Sequence, residues 1–165
     1  MKPFVEELEI KKNNFNKGIF LVFTVSCIAG YLISLNRTTN DQWIMLVAVL
    51  FFGAIFWANM KYRILVDRHG ISVKNVFRPQ IILWEDINRL NYVVSYNGHS
   101  AALKLNIFHK GPQKKLQLSV KQFNKQKMQR FFEILNGQCT NASKNEHFIK
   151  QATGQMNWKD KLKMY

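Results

Sequence analysis

The side chains able to do chemistry are few and far apart. Four histidines, His69, His99, His109 and His147, are scattered along 165 residues, and three of them fall in or beside predicted turns, where solvent exposure is their ordinary role. A metal centre needs ligands that converge from helical or hairpin spacing, and no second ligand stands at such a spacing from any of them. The two cysteines, Cys27 inside an apolar run and Cys139 beyond the last clear helix, form neither a disulfide framework nor a zinc site. Glu85 and Asp86 are adjacent carboxylates, but neighbours in sequence project in different directions, and a turn after Trp84 accounts for them. No Gly-rich phosphate loop, H-E-x-x-H, G-x-S-x-G or paired-cysteine motif occurs. The expectation is a protein without catalytic residues, metal or cofactor, whose work is binding.

What remains for recognition is charge. The chain carries 24 Lys and Arg against 10 Asp and Glu, a formal net charge of +14. Up to residue 60, five bases (Lys2, Lys11, Lys12, Lys17, Arg37) meet four acids (Glu6, Glu7, Glu9, Asp41), so +13 of the surplus lies beyond Met60. Between Asp86 and Glu133 there is no acid but nine bases: Arg89, Lys104, Lys110, Lys114, Lys115, Lys121, Lys125, Lys127 and Arg130. Such a surplus favours an anionic partner, and a solvated basic surface stands beside it as the plain alternative. Lys110, Lys114 and Lys115 bracket a hairpin turn, and Lys121, Lys125 and Lys127 ride the polar side of a helix. With Lys104 and Arg130 they form the candidate lipid- or partner-facing set. Anionic lipid headgroups attract near-surface Lys or Arg by about 1 kcal/mol each. Nucleic acid is disfavoured, because the aromatic residues that would stack on bases occupy predicted buried faces.

Those bases hang from two long apolar runs. Residues 18–35 (GIFLVFTVSCIAGYLISL) and 43–60 (WIMLVAVLFFGAIFWANM) each hold 18 residues without a charge. At about 1.5 Å per residue such a helix covers roughly 27 Å, close to the roughly 30 Å hydrocarbon core of a bilayer. A signal peptide is the competing reading of the first run, but acids precede it and no A-x-A-like site follows. The short polar stretch 36–41 makes the two runs an antiparallel hairpin. Lys11, Lys12 and Lys17 before it and Lys61, Arg63 and Arg68 after it, against a single Arg37 beside Asp41 in the connection, put both termini on the cytoplasmic side. Trp43 and Trp57 suit the two interfaces. Asn36-Arg37-Thr38 is a sequon, a tripeptide too common to carry weight. Ser26, Gly30 and Ser34 recur every four residues, as do Ala54 and Ala58, and such stripes permit close packing on each other, on a second copy or on another membrane protein.

From Tyr62 the period changes to two. Residues 63–66, 71–77, 81–84, 91–96, 101–110 and 115–120 read as antiparallel strands parted by turns. In the clearest, Ala101, Leu103, Leu105 and Ile107 share a face. Residues 119–136 then take helical spacing, with Phe123, Met128, Phe131, Phe132 and Leu135 together and Asn136-Gly137 as a stop. The expected fold is a transmembrane helical hairpin (18–60) after a short N-terminal segment (1–17), then a small α+β domain (61–137) built as a β-barrel or bent antiparallel sheet capped by a C-terminal helix. A basic tail (138–165) is expected to be disordered or to lie on the membrane.

The segments Tyr62-Arg63-Ile64-Leu65-Val66-Asp67-Arg68-His69-Gly70-Ile71-Ser72-Val73 and Ile82-Leu83-Trp84-Glu85-Asp86-Ile87, with the Phe-rich helix that follows the strand at Leu116, resemble bacterial pleckstrin-homology-like membrane proteins, which place two transmembrane helices before such a domain. The resemblance implies a pleckstrin-homology-type barrel with a C-terminal helix, a place in the bacterial inner membrane, and a role in binding or assembly. It does not imply phosphoinositide binding, because the loop that would supply the headgroup clamp is only Asp67-Arg68-His69-Gly70. The expected function is a non-enzymatic membrane protein that presents a basic domain to a protein partner or anionic lipid surface. The alternative is a small inhibitory or immunity-type factor acting through helix contacts with another membrane protein.

Overall fold

The computed structural model describes residues 7–12, 14–35, 42–76, 79–97, 100–110 and 114–156. The connection at 36–41 with its sequon, the turn residues 78, 98–99 and 111–113, and the end of the tail at 157–165 lie outside them.

The two apolar runs form helices α1 (Asn14–Leu35) and α2 (Gln42–Lys61). They pack antiparallel: the Phe23 ring stacks on Phe52 at 5.7 Å, Met45 fills the space beside Gly30, and Gln42 Nε2 donates to the Ser34 carbonyl at 3.1 Å. The polar side chains turn inward on their own helices. Thr24 donates to Phe20 O at 2.8 Å, Ser34 to Tyr31 O at 2.7 Å and Asn59 to Ile55 O at 2.9 Å. No α2 side chain is buried in the protein, and its outer face carries Trp43, Ile44, Val47, Leu50 and Phe51, all exposed. Both helices are long and apolar enough to cross a membrane.

The small-residue stripes do not form one seam. Gly30 and Ser34 face α2, whereas Ser26 and Ala54 point outward and Ala58 is half-buried. A strict four-residue spacing advances about 40° per step around a 3.6-residue helix, so a stripe begun on the seam drifts off it.

The rest of the chain folds as two four-stranded sheets. In the first, β1 (Leu8–Lys11), β2 (Arg63–Val66), β3 (Gly70–Lys74) and β4 (Gln80–Leu83) pair in sequence order, all antiparallel. Alternation buries Ile10, Ile64, Val66, Ile71, Val73 and Ile82 on one face. The β2–β3 turn is tied by Asp67, whose Oδ1 accepts from the His69 and Gly70 amides at 2.7 and 3.1 Å. Only glycine fits at position 70, since a Cβ there would meet the Ile82 carbonyl carbon at 3.0 Å and its oxygen closer still.

A 3-10 turn at Trp84–Asp86 leads into the second sheet, ordered β7-β6-β5-β8: β5 (Ile87–Asn97), β6 (Ser100–His109), β7 (Lys115–Ser119) and the two-residue β8 (Ser143–Lys144), parallel to β5. Trp84 is core, with its indole N–H donating to Asp67 O at 3.1 Å. Helix α3 (Lys125–Gln138) starts at an Asn124 cap that accepts from the Gln126 and Lys127 amides, and it buries Met128, Phe131, Phe132 and Leu135 as its spacing predicts. Helix α4 (Glu146–Ala152) packs on α3 and buries Phe148 completely.

Two expectations are corrected and one is extended. The sheets are open and do not close into a barrel: the Trp84–Asp86 turn separates β4 from β5, and the strands of one sheet do not ladder with those of the other. Within the N-terminal segment 1–17, residues 8–11 add a strand the sequence reading lacks, completing the first sheet by pairing with β2 across the whole hairpin. Residues 143–152 of the expected tail are folded: Asn145 ties β8 and α4 to β5, its side chain accepting from Tyr92 N at 3.0 Å and donating to Tyr92 O at 2.9 Å, while also capping α4 at Phe148 N.

Candidate functional site

The end of the domain that meets the hairpin is organised around Lys12. Its ammonium donates to Asn59 Oδ1 at 2.6 Å, sits 4.8 Å from the centre of the Tyr62 ring, and its backbone bridges to Phe123 just before α3. Tyr62 and Phe123 rings meet at 6.1 Å. Three stretches, the residue after β1, the end of α2 with Tyr62, and Phe123 just before α3, thus converge on one half-buried cation. Burial lowers the Lys12 pKa and raises that of Tyr62. Charge counting on the sequence treats Lys12 as a flank; the alternation of Leu8 and Ile10 is the one local signal that its segment is a strand.

The eight candidate bases separate into groups. Lys121 lies on the 3-10 turn Val120–Gln122 and Lys125, Lys127 and Arg130 on α3, all exposed and beginning at the hairpin end beside Phe123. Lys127 reaches across to donate to Glu9 O at 2.9 Å. Glu9 itself pairs with Lys11 at 3.0 Å and Arg63 at 3.2 Å, which hold its carboxyl below the usual range. Lys110, Lys114 and Lys115 flank the β6–β7 connection at the opposite end of the first sheet: Lys110 N donates to Asp86 O at 3.2 Å, and its ammonium stands 3.4 Å from Asp86 Oδ2. Lys104 pairs with Ser119, just before the Val120–Gln122 turn, and donates to Gln117 Oε1 at 3.4 Å. Arg89, the remaining base of the acid-free run, lies over the Phe108 ring at 4.2 Å.

Two of the groups passed over as chemistry are neighbours after all. His109 pairs with Ile87, the residue after Asp86, and both His109 Nδ1 and Asp86 Oδ2 are buried without a hydrogen-bond partner among the described residues. Lys110 is within ion-pair distance of that oxygen but out of line for a hydrogen bond. Burial pushes the His109 pKa down, Asp86 opposes this, and Lys110 and Lys114 add to it. This is a pair with an adjacent lysine; no group of three metal-ligating side chains occurs among the described residues.

A cavity of about 410 Å³ opens between the second sheet and α3, with Leu103, Met128 and Phe132 deep in it and Lys121 and Lys125 among its lining residues. Gln129 and Gln151 bridge α3 and α4 on its flank, Gln151 Nε2 donating to Gln129 Oε1 at 2.7 Å and Gln129 Nε2 to Gln151 O at 2.9 Å. Sequence alone marks these apolar residues as one helix face and one strand face, without the gap between them. Neither a scan against protein-family models nor searches of curated proteins and of solved structures gives a match.

Proposed function

We propose that this chain is an integral protein of the bacterial inner membrane whose α1–α2 hairpin crosses the bilayer, with both termini cytoplasmic, and whose two-sheet domain presents the basic surface around Lys61, Lys121 and Lys125 to the anionic leaflet and to partners there. The reading is non-enzymatic. One observation carries it: two helices of membrane-spanning length bury almost nothing in the domain, and their ends at Lys12 and Lys61 adjoin the basic start of α3. In water those outer faces would expose a contiguous apolar surface far beyond what a soluble monomer tolerates. A pleckstrin-homology-like architecture, here with open sheets, is supported by the order of parts, a hairpin followed by strands and a Phe-rich helix.

The experiment is fractionation with protease mapping. The full chain is expected to stay in the pellet of alkaline carbonate-washed membranes, and α3 to be cut by trypsin in inverted vesicles and protected in spheroplasts. Release by carbonate, or cleavage in spheroplasts, overturns the proposal.

The outward position of Ser26 and Ala54 favours a second reading, in which the hairpin docks another membrane protein through those positions. Ser26→Leu and Ala54→Leu should then abolish co-purification of that partner without lowering the amount of protein in the membrane.

A further inference from the structure

The cavity between the second sheet and α3 has the make-up of a site for one particular kind of molecule. Its volume of about 410 Å³ lies within the roughly 300–1,000 Å³ usual for small-ligand sites. Leu103 from β6 and Met128 and Phe132 from α3 make its depth apolar. The polar residues on its flank are already engaged, since the Gln129 and Gln151 amides bond each other. Its charged lining is of one sign: Lys121 and Lys125, both exposed and without an ion-pair partner among the described residues. An apolar recess edged by two unpaired cations matches an apolar chain that ends in an anion.

We infer that this cavity binds a single-chain anionic amphiphile, a long-chain fatty acid, with the chain between β6 and α3 and the carboxylate at Lys121 and Lys125. The inference rests on the membrane reading proposed above. Phe123 lines the cavity and also packs on Tyr62 at the end of α2, so a leaflet at that end would border the opening and supply the ligand. Other occupants fit worse. The chain's own segment 157–165 carries Lys159, Lys161 and Lys163 against one Asp160, the same sign as the lysines it would have to approach. A partner helix, about 10–12 Å across with its side chains, takes up roughly 400–600 Å³ per turn of about 5.4 Å, so a single turn would already fill the 410 Å³.

The test uses the full chain in phosphatidylcholine nanodiscs loaded with palmitate carrying a chain diazirine, irradiated and mapped by peptide mass spectrometry. Adducts are expected on α3 at Met128 or Phe132 as well as on α1 and α2. Lys121→Gln with Lys125→Gln should lower the α3 adduct roughly ten-fold while sparing those on α1 and α2, and the diazirine alcohol of the same chain length should show a similar deficit on the unaltered protein. Met128→Trp, which fills the recess, should remove the α3 adduct; the lysine variants, being on the surface, test the idea even if that core change unfolds the domain. Palmitate adducts confined to α1 and α2 overturn the inference, as does an α3 adduct indifferent to the two lysines. Equal labelling of α3 by a diazirine phosphatidylglycerol also overturns it and assigns the space to leaflet lipid. An absence of adducts on α1 and α2 would instead refute the membrane reading.

Discussion

Gly70 and Gly137 show how differently one residue type is used. At position 70 the backbone of β4 lies so close that any Cβ must displace the Ile82 carbonyl, whereas at position 137 a Cβ would meet nothing within 4 Å. Gly70→Ala is therefore expected to destabilise by about 1–3 kcal/mol. Gly137→Ala, in the last turn of α3, is expected to stabilise by up to about 1 kcal/mol by restricting the unfolded chain. Denaturant unfolding of the detergent-solubilised protein checks both, and like signs would mean the β3–β4 contact is looser than described. His109 supplies a pH dependence. Burial lowers its pKa, Lys110 and Lys114 reinforce the shift and Asp86 works against it. The unfolded chain then takes up the proton first as pH falls, so this group's contribution is full above its unfolded value and is lost as pH drops through the folded one. Tm should fall between about pH 7.5 and about pH 5.5, bracketing the unperturbed imidazole value near 6.5, and His109→Asn should flatten part of that fall. The depressed carboxyl of Glu9 acts only in a lower window, below the ordinary carboxylate range, and does not confuse the measurement. Unchanged slopes in the variant would assign the acid sensitivity elsewhere.

At the scale of elements, α4 is the telling case. It is seven residues long, yet Phe148 is fully buried against Phe132 at 5.4 Å, and Asn145 binds β5 and caps the helix at once. Phe148→Ala should cost about 3–5 kcal/mol, and Asn145→Ala about 1–2 kcal/mol. A segment of disordered tail would show neither loss, so equal Tm values for these variants and the parent would restore the tail reading. The elements legible in the sequence are those long enough to display a period: the two charge-free runs, the alternation through Leu103, Leu105 and Ile107, and the Phe-rich face of α3. Those missed are short and fixed from a distance. Strand β1 offers only Leu8 and Ile10 among acids, and its partner Leu65 stands beyond both apolar helices. Two turns of α4 give too little periodicity to separate helix from tail, and β8 is two residues held by pairing to Arg89 and Leu90. The barrel expectation failed for a related reason. Strand count is a local property, but closure depends on whether the strand ends meet, and the 3-10 turn at Trp84–Asp86 redirects the chain before they do. The cavity was equally hidden, since its walls come from a strand and a helix that sequence marks only as core.

The whole molecule decides which of the basic residues can matter to a bilayer. From Arg63, next to α2, strand β2 runs away from the hairpin, and three steps of about 3.3 Å carry it some 10 Å outward before the turn at Asp67. Trp84–Asp86 and the β6–β7 connection sit at that outer end, held there by the Trp84 indole on Asp67 and by Lys110 on Asp86. With the proposed leaflet at the hairpin end, Lys114 and Lys115 would then stand farther from it than a Debye length, about 8 Å at physiological salt. Lys61 and Lys121 flank the Tyr62–Phe123 contact and lie within it. Equal charge changes at the two ends should then have unequal effects. In native mass spectrometry of the full chain released from mixed phosphatidylglycerol and phosphatidylcholine micelles, Lys61→Gln with Lys121→Gln should lower retained phosphatidylglycerol, by an amount matching about 1 kcal/mol per lysine. Lys114→Gln with Lys115→Gln should leave it unchanged, even though sequence reasoning ranks those two residues equally. Equal losses from both pairs would mean that net charge alone governs lipid retention, and a loss from the outer pair alone would put the leaflet at the wrong end of the domain.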